Sequence, residues 1–485
     1  MKILNYSLFI LLGAALVTGC QKDKLNPQIQ TSISTGSAFA TPDRIENQVN
    51  GLYTNLKAGA FMGGRYSIFN DIRGENFINE QGNGVTGLLV WNFTVTGSDT
   101  YINNIWNSAY NTINQVNVFL SGMDAGGDAI VSPDEAAQYR GEAKFVRAVT
   151  YYGLLQLFAP PYTGSSTEKA LPLRLTPIIG PGNSNLARST VAEVYQQILS
   201  DLNDAEAGVP ASYSDAVTNT IHAHKNTVIA FKTRVYLSMG DWANVIAEAN
   251  KIVPATAPFT AKSGVANALQ ADIAAVYTNY TTTESVFSLP FQGTVEIPGT
   301  QNQLAYYFTP SGIGVTGANG EYSLNRNGVV ADSAWTNTDA RRGLLRAGTG
   351  SNSGKLYLVK YSVGSPFTDW VPVLRWSEIL LNLAEAKVRS ANSVDAQAVA
   401  LLNAVRRRSD PSTNFEPATA TALINDILQE RNIEFLGEGL RSPDIMRLGM
   451  TFPAIGTARS TAVPPTSPNY VFPAPTSETQ YNTLW

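Results

Sequence analysis

The sequence predicts an all-α fold, a scaffold of repeated helical hairpins that carries long, loop-rich insertions with short β segments. Three observations predict it. Apolar residues recur at helical spacing through much of the chain. Strong start and stop signals punctuate those helical stretches. Two regions, 60–100 and 255–370, break the pattern and are rich in Gly, Asn and aromatic residues.

The first residues are read apart from the fold. Lys2 precedes an almost uncharged apolar run, residues 3–17, that is short for a membrane span. Small residues follow, which gives the stretch the form of a secretory signal. Leu16-Val17-Thr18-Gly19-Cys20 has the shape of a bacterial lipoprotein cleavage site, where the cysteine becomes the mature N-terminus and carries acyl chains. Cys20 is the only cysteine in 485 residues, so it has no disulfide partner within the chain. The expected organisation is a signal peptide over 1–19, a lipidated tether over 20–40 and one domain over 41–485. Two or more acyl chains make such an anchor stable.

The helical elements follow in order. Thr41-Pro42-Asp43 starts a helix over 44–57. Ile105, Ile113, Val116 and Leu120 share one side of a second, over 101–120. Ser132-Pro133-Asp134-Glu135 starts a third, and Ala159-Pro160-Pro161 stops it. Ser189-Thr190 opens a fourth. The clearest unit is 227–253: Gly240 ends one helix, Asp241 starts the next and Trp242 plugs the space between them. This hairpin resembles a tetratricopeptide unit. A second hairpin is expected over 373–408 and a last long helix over 422–436. Helical repeats thus occupy 101–254 and 371–450. Strand-like runs at 285–291 and 355–361 lie in the second insertion, and a Pro-, Ser- and Thr-rich tail from Phe452 reads as loop.

Composition narrows the function. Charged residues make up 15% of the chain, against about 25% in average soluble proteins. The net charge is -4, and loss of Lys2 with residues 1–19 makes it -5. This mild acidity argues against nucleic acid as a partner. Catalytic signatures are scarce. His222 and His224 are the only histidines, with no cysteine or carboxylate cluster to complete a metal set. Residues 348–355 fail the phosphate-loop pattern at Thr349, and Leu356 follows where Ser or Thr is needed. Ser166-Thr167-Glu168-Lys169 satisfies S-x-x-K but lies in a loop without the companion motifs. Asp71, Glu75 and Asn76 are calcium-type ligands, yet a solvated acidic turn is the simpler reading. No cofactor and no metal is expected. The run Glu430, Arg431, Glu434, Glu438, Arg441, Asp444 and Arg447 reads as a partly buried ion-pair network that fixes the last helix, rather than as an anion site.

Irregular insertions on a rigid scaffold are where binding sites usually sit. A sugar ring has an apolar C–H face for flat aromatics to stack on and a rim of hydroxyls for polar side chains to bond. The expected ligand contacts are Trp91, Trp335 and Trp370, then Arg73, Asn76 and Asp71. A loop tryptophan can equally be a packing plug. Trp106, Trp242 and Trp376 lie in helical patterns and are assigned to the core.

Several segments resemble one family. Gly141-Glu142-Ala143-Lys144-Phe145-Val146-Arg147-Ala148, Tyr151-Tyr152 and Leu157-Phe158 are similar to a signature of the SusD/RagB outer-membrane lipoproteins of Bacteroidetes. So are Leu171-Pro172-Leu173, the hairpin corner at 236–242, the helix beginning Arg375-Trp376-Ser377-Glu378 and the run from Glu430 to Arg447. Ser442-Pro443 departs from the family pattern, which usually has an aromatic pair there. The resemblance implies about four tetratricopeptide pairs with a loop-rich ligand face. It implies a SusC-like, TonB-dependent barrel as partner, over which the lipoprotein closes as a lid to deliver oligosaccharide or, in some members, peptide. It places the protein on the outer membrane at the cell surface. The rival readings are a repeat-based interaction protein without a small ligand, and a surface glycosidase working with two carboxylates.

Overall fold

The computed structural model describes residues 35–163, 166–180 and 185–485, so the lipidation reading at Cys20 lies outside the described residues. Eleven helices named here build and flank the scaffold: α1 Pro42–Leu56, α2 Arg65–Ile72, α3 Thr100–Asp124, α4 Pro133–Phe158, α5 Val191–Gly208, α6 Lys225–Met239, α7 Trp242–Ile252, α8 Trp376–Ala391, α9 Ala396–Ser409, α10 Ala420–Glu434 and α11 Arg441–Arg447. Helix pairs stack as tetratricopeptide-like repeats: α3 on α4, α4 on α5, α6 on α7, α7 on α8 and α8 on α9.

The ends of these helices lie where the local chemistry dictates. Ser132 and Thr190 each form a capping box, with Glu135 and Glu193 reaching back to the cap backbone. Asp99, Asp241 and Asp395 cap α3, α7 and α9. Gly240 ends α6 at φ 69°, a left-handed turn that a side chain would strain. Trp242 packs with Leu237, Val245 and Ala386, so it bridges the α6–α7 hairpin to α8 rather than filling the hairpin alone. Trp106 and Trp376 are core residues, and the Trp376 indole donates to the Phe259 carbonyl at 2.6 Å.

Among the described residues eight short strands pair off, most of them in the irregular regions: β1 Phe77–Asn79, β2 Lys169–Pro172, β3 Arg188–Thr190, β4 Ser285–Leu289, β5 Tyr322–Leu324, β6 Leu345–Ala347, β7 Leu356–Leu358 and β8 Val371–Arg375. All four pairings, β1–β5, β2–β3, β4–β8 and β6–β7, are antiparallel. The β1–β5 ladder joins the two insertions to each other. The β4–β8 ladder corrects one expectation. Val373 and Leu374 belong to a strand, and the second hairpin's helix starts only at Trp376. β-branched and apolar residues there face a partner strand 82 to 90 residues upstream, which local periodicity does not reveal.

Five cations and five carboxylates form a buried network that locks the second insertion to α9 and α10. They are Arg341, Lys360, Arg375, Arg406 and Arg408 with Glu284, Asp339, Glu430, Glu434 and Glu438; no side chain among them is more than 4% exposed. Glu434 meets Arg341 at 2.7 Å, Arg375 at 2.8 Å and Arg408 at 2.5 Å. A second group joins Arg431, Asp444, Arg447 and Glu385. Replacing Glu434 by Ala leaves three buried guanidiniums short of a counter-charge. Removing one partner of a buried pair costs about 3–5 kcal/mol. The E434A variant is therefore expected to lose that much in urea unfolding, whereas D204A, which breaks the exposed Lys144–Asp204 pair, stays within about 1 kcal/mol of the parent. Equal losses in the two variants would contradict this account of the network.

Candidate functional site

The six sequence-chosen residues fall in three places. Trp91, Asp71, Arg73 and Asn76 lie inside, in the packing between the first insertion and the C-terminal segments. Trp91 is 4% exposed, its indole N–H donates to the Phe77 carbonyl at 2.9 Å, and the Arg459 guanidinium covers its ring at 5.5 Å. Arg73 sits over the rings of Phe93, Phe452 and Phe472 and donates to the Tyr470 carbonyl. Burial lowers its guanidinium to about 9. Asp71 accepts from the Gly439 amide at 2.7 Å, and burial raises its carboxyl to about 7. Asn76 donates to Asn432 at 2.7 Å and accepts from the Val329 amide at 3.0 Å. Glu75 pairs with Arg441 at 2.5 Å. The expected solvated acidic turn is thus an anchor for neighbouring chain. Trp335, 3% exposed, is covered by Arg342 at 4.3 Å.

Trp370 is different. It stacks on half-buried Tyr280, ring centroids 5.1 Å apart and planes 8° from parallel. Asp369, next to Trp370 in the chain, accepts from the amides of Ser362 at 3.0 Å and Val363 at 3.1 Å. Ser362 in turn lines a cavity of about 290 Å³. The ring pair therefore stands beside this cavity, one residue removed.

The cavity is built from four pieces of the second insertion. Tyr277 and Thr278 come from the short helix Ala275–Thr278, Ile313 and Val315 from the following loop, Leu344 and Arg346 from the β6 edge, and Lys360 and Ser362 from the chain after β7. The floor is held from below by the ion network. The Tyr277 hydroxyl donates to Glu438 at 2.8 Å, and Lys360 donates to the same carboxylate at 2.6 Å and to the Glu434 carbonyl at 2.9 Å. Burial lowers the Lys360 ammonium. Burial alone would raise Glu438, but Arg375 and Lys360 beside it bring its carboxyl below the usual range. The result is an apolar floor with a polar rim, just under the ~300–1,000 Å³ of typical small-ligand pockets. No carboxylate lines it, so the two-carboxylate arrangement of glycoside hydrolysis is not found in its wall. Among the described residues no group of three or more His, Cys, Asp or Glu could hold a metal ion.

Sequence reasoning did not single out Tyr277, Tyr280, Arg346 or Lys360. The one available signal was the pair of tyrosines three apart in the second insertion. His222 and His224 separate in role: His222 pairs with Glu142 at 2.7 Å, while His224 is fully buried and lowered to about 4 by burial.

Two family models match the chain. One, described as starch-binding associating with outer membrane, covers residues 24–237, and one described as the SusD family covers residues 346–483. A SusD superfamily protein from Bacteroides fragilis shares 32% identity, with 92% of this chain and 99% of the other covered, at a TM-score of 0.81. A SusD superfamily protein from Bacteroides thetaiotaomicron shares 23%, with 91% and 98% covered, at 0.80. The surface glycan-binding protein A of Bacteroides thetaiotaomicron, solved in complex with laminarihexaose, shares 17%, with 92% and 98% covered, at 0.72. No curated protein matches the chain.

Asp369 gives a pH test of the site's geometry. Burial raises its carboxyl from 3.8 to about 7 despite the amide donors. Between those values the folded protein holds a proton that the unfolded chain has lost, so stability falls as pH rises from about 4 to 7 and is level above. Asp71 adds the same trend. D369N is expected to flatten the pH 4–7 part of the urea-melt profile relative to the parent; parallel profiles would count against a buried Asp369.

Proposed function

The chain belongs to the SusD family, and from that premise we propose that it is a cell-surface lipoprotein, anchored through Cys20, that binds oligosaccharide without chemically changing it. Delivery would go to a SusC-like, TonB-dependent barrel in the outer membrane. The observation that carries the binding part is the ring-edged cavity: an apolar floor with polar groups around it, beside Tyr280 backed by Trp370. Tyr280 is half-exposed and its ring is already ordered by its stack on Trp370. A sugar face can stack on a ring held in this way with little further loss of freedom. The rim supplies hydroxyl and guanidinium partners for sugar hydroxyls. The laminarihexaose bound by the fold relative from Bacteroides thetaiotaomicron is consistent with glycan as the ligand class. Of the residues chosen from sequence, Trp370 is retained as a contact-side ring; Trp91, Trp335, Arg73, Asn76 and Asp71 hold the surrounding chain.

The test is calorimetric titration with a panel of soluble oligosaccharides, neutral and acidic, against the parent, Y280A, W370A and W91A. Truncation of Tyr280 or Trp370 is expected to weaken binding at least about tenfold, as central aromatic contacts do, with an unchanged far-UV spectrum. W91A is expected to lower stability first. Heat with none of the panel, or undiminished binding by Y280A and W370A, would remove this site from the reading.

A further inference from the structure

We propose that the cavity is selective for an acidic sugar residue, one bearing a carboxylate or a sulfate ester, which Arg346 receives at the rim; this rests on the glycan reading above. The whole chain carries a net charge of -4, yet residues 301–362 hold six cations, Arg326, Arg341, Arg342, Arg346, Lys355 and Lys360, against three carboxylates, Glu321, Asp332 and Asp339. Part of that excess is cancelled locally. Arg341 and Lys360 belong to the buried network, and Lys355 pairs with Glu80 at 2.7 Å. Three guanidiniums remain without a carboxylate partner among the described residues. Arg342 donates to the carbonyls of Val330 and Trp335, and Arg326 to that of Gly354. The exposed Arg346 side chain has no hydrogen bond or ion pair among the described residues, and it is the one of the three that lines the cavity.

The nearby anions are already committed. Glu438 is shared by Tyr277, Lys360 and Arg375, and Asp369 accepts from two backbone amides. Neither forms an ion pair with Arg346 among the described residues. A guanidinium presents paired N–H donors in a fork that matches a carboxylate or sulfate. Thr278 and Ser362 are exposed on the same cavity wall and can bond the remaining oxygens. The ring pair beside the cavity would hold the sugar face while the fork holds the acid group. A neutral glucan would leave that fork unmatched.

The experiment compares oligogalacturonate, a sulfated galactan oligosaccharide and neutral laminarihexaose by calorimetry on the parent, R346A and R346K. The expected result is tighter binding of one or both acidic probes than of laminarihexaose. R346A should cut that preference about tenfold or more, the size expected for a hydrogen bond to a charged group. R346K should restore it in part, and the acidic preference should weaken as salt rises. Preferential binding of one acidic probe over the other identifies carboxylate or sulfate as the group. Binding of laminarihexaose as tight as the acidic probes, or an acidic preference untouched in R346A, overturns the inference while leaving the glycan reading standing. Binding of an acidic peptide but no oligosaccharide overturns both.

Discussion

Glu434 has no solvent exposure, and three guanidiniums converge on it. In a low-dielectric interior a carboxylate in that position demands cations, and the cations demand further carboxylates, until the charge closes. Here it closes at five of each. The consequence is geometric more than energetic. Buried ion pairs gain little over well-packed apolar groups, but a partly broken set is costly. The second insertion, which contributes Glu284, Asp339, Arg341 and Lys360, and β8, which contributes Arg375, are thus seated together on α9 and α10, which contribute Arg406, Arg408, Glu430 and Glu434. The irregular chain holds its shape because the network leaves it no alternative register.

The first insertion is held by different chemistry. Arg459 donates to the carbonyls of Ile72, Gly74, Trp91 and Pro453, and its guanidinium lies over the rings of Trp91 and Phe93. Arg73 shares the Phe93 ring and is enclosed by two more, Phe452 and Phe472. Neither has a carboxylate partner among the described residues, and burial lowers both. Carbonyl dipoles and ring faces do what acids do in the other network. This clasp ties the tail after α11 back across residues 72–93, and it explains where the aromatic residues of that glycine-rich stretch are used.

These two devices also explain which parts of the molecule were legible from sequence. Helix ends were legible because caps act over three residues: Ser132 with Glu135, Thr190 with Glu193, Gly240 before Asp241. The Glu430/Glu434/Glu438 row was legible as an ion-pair face for the same local reason. Its partners were not, since Glu284, Arg341 and Arg375 lie 59 to 150 positions away from Glu434. Trp91 and Trp335 looked like ligand platforms because their flanking sequence is loop-like, but a loop folded onto a scaffold has an inside. Arg459 and Arg342, each distant or unremarkable in sequence, decide that those rings face protein. Trp370 is buried too, at 9% exposed, but its cover is another ring, that of half-exposed Tyr280.

The charge balance of the buried network bears on the electrostatics of that cavity. Lys360 lines it and belongs to a set with as many positive as negative groups, so at a distance the set's fields largely cancel. The potential in the cavity is then governed by the charges that stand outside the balance, and the lining supplies one, Arg346, on the β6 edge at the boundary with solvent. A single cation there would be weak in bulk water. Next to an apolar floor of Ile313, Val315 and Leu344, which excludes water on one side, it acts through a lower effective dielectric and is worth more. The mildly acidic surface elsewhere does not reach it strongly, because exposed charges more than about 8–10 Å away are screened at physiological salt. The same network that fixes the insertion's shape therefore also isolates one unpaired guanidinium as the local determinant of which ligand charge the cavity favours.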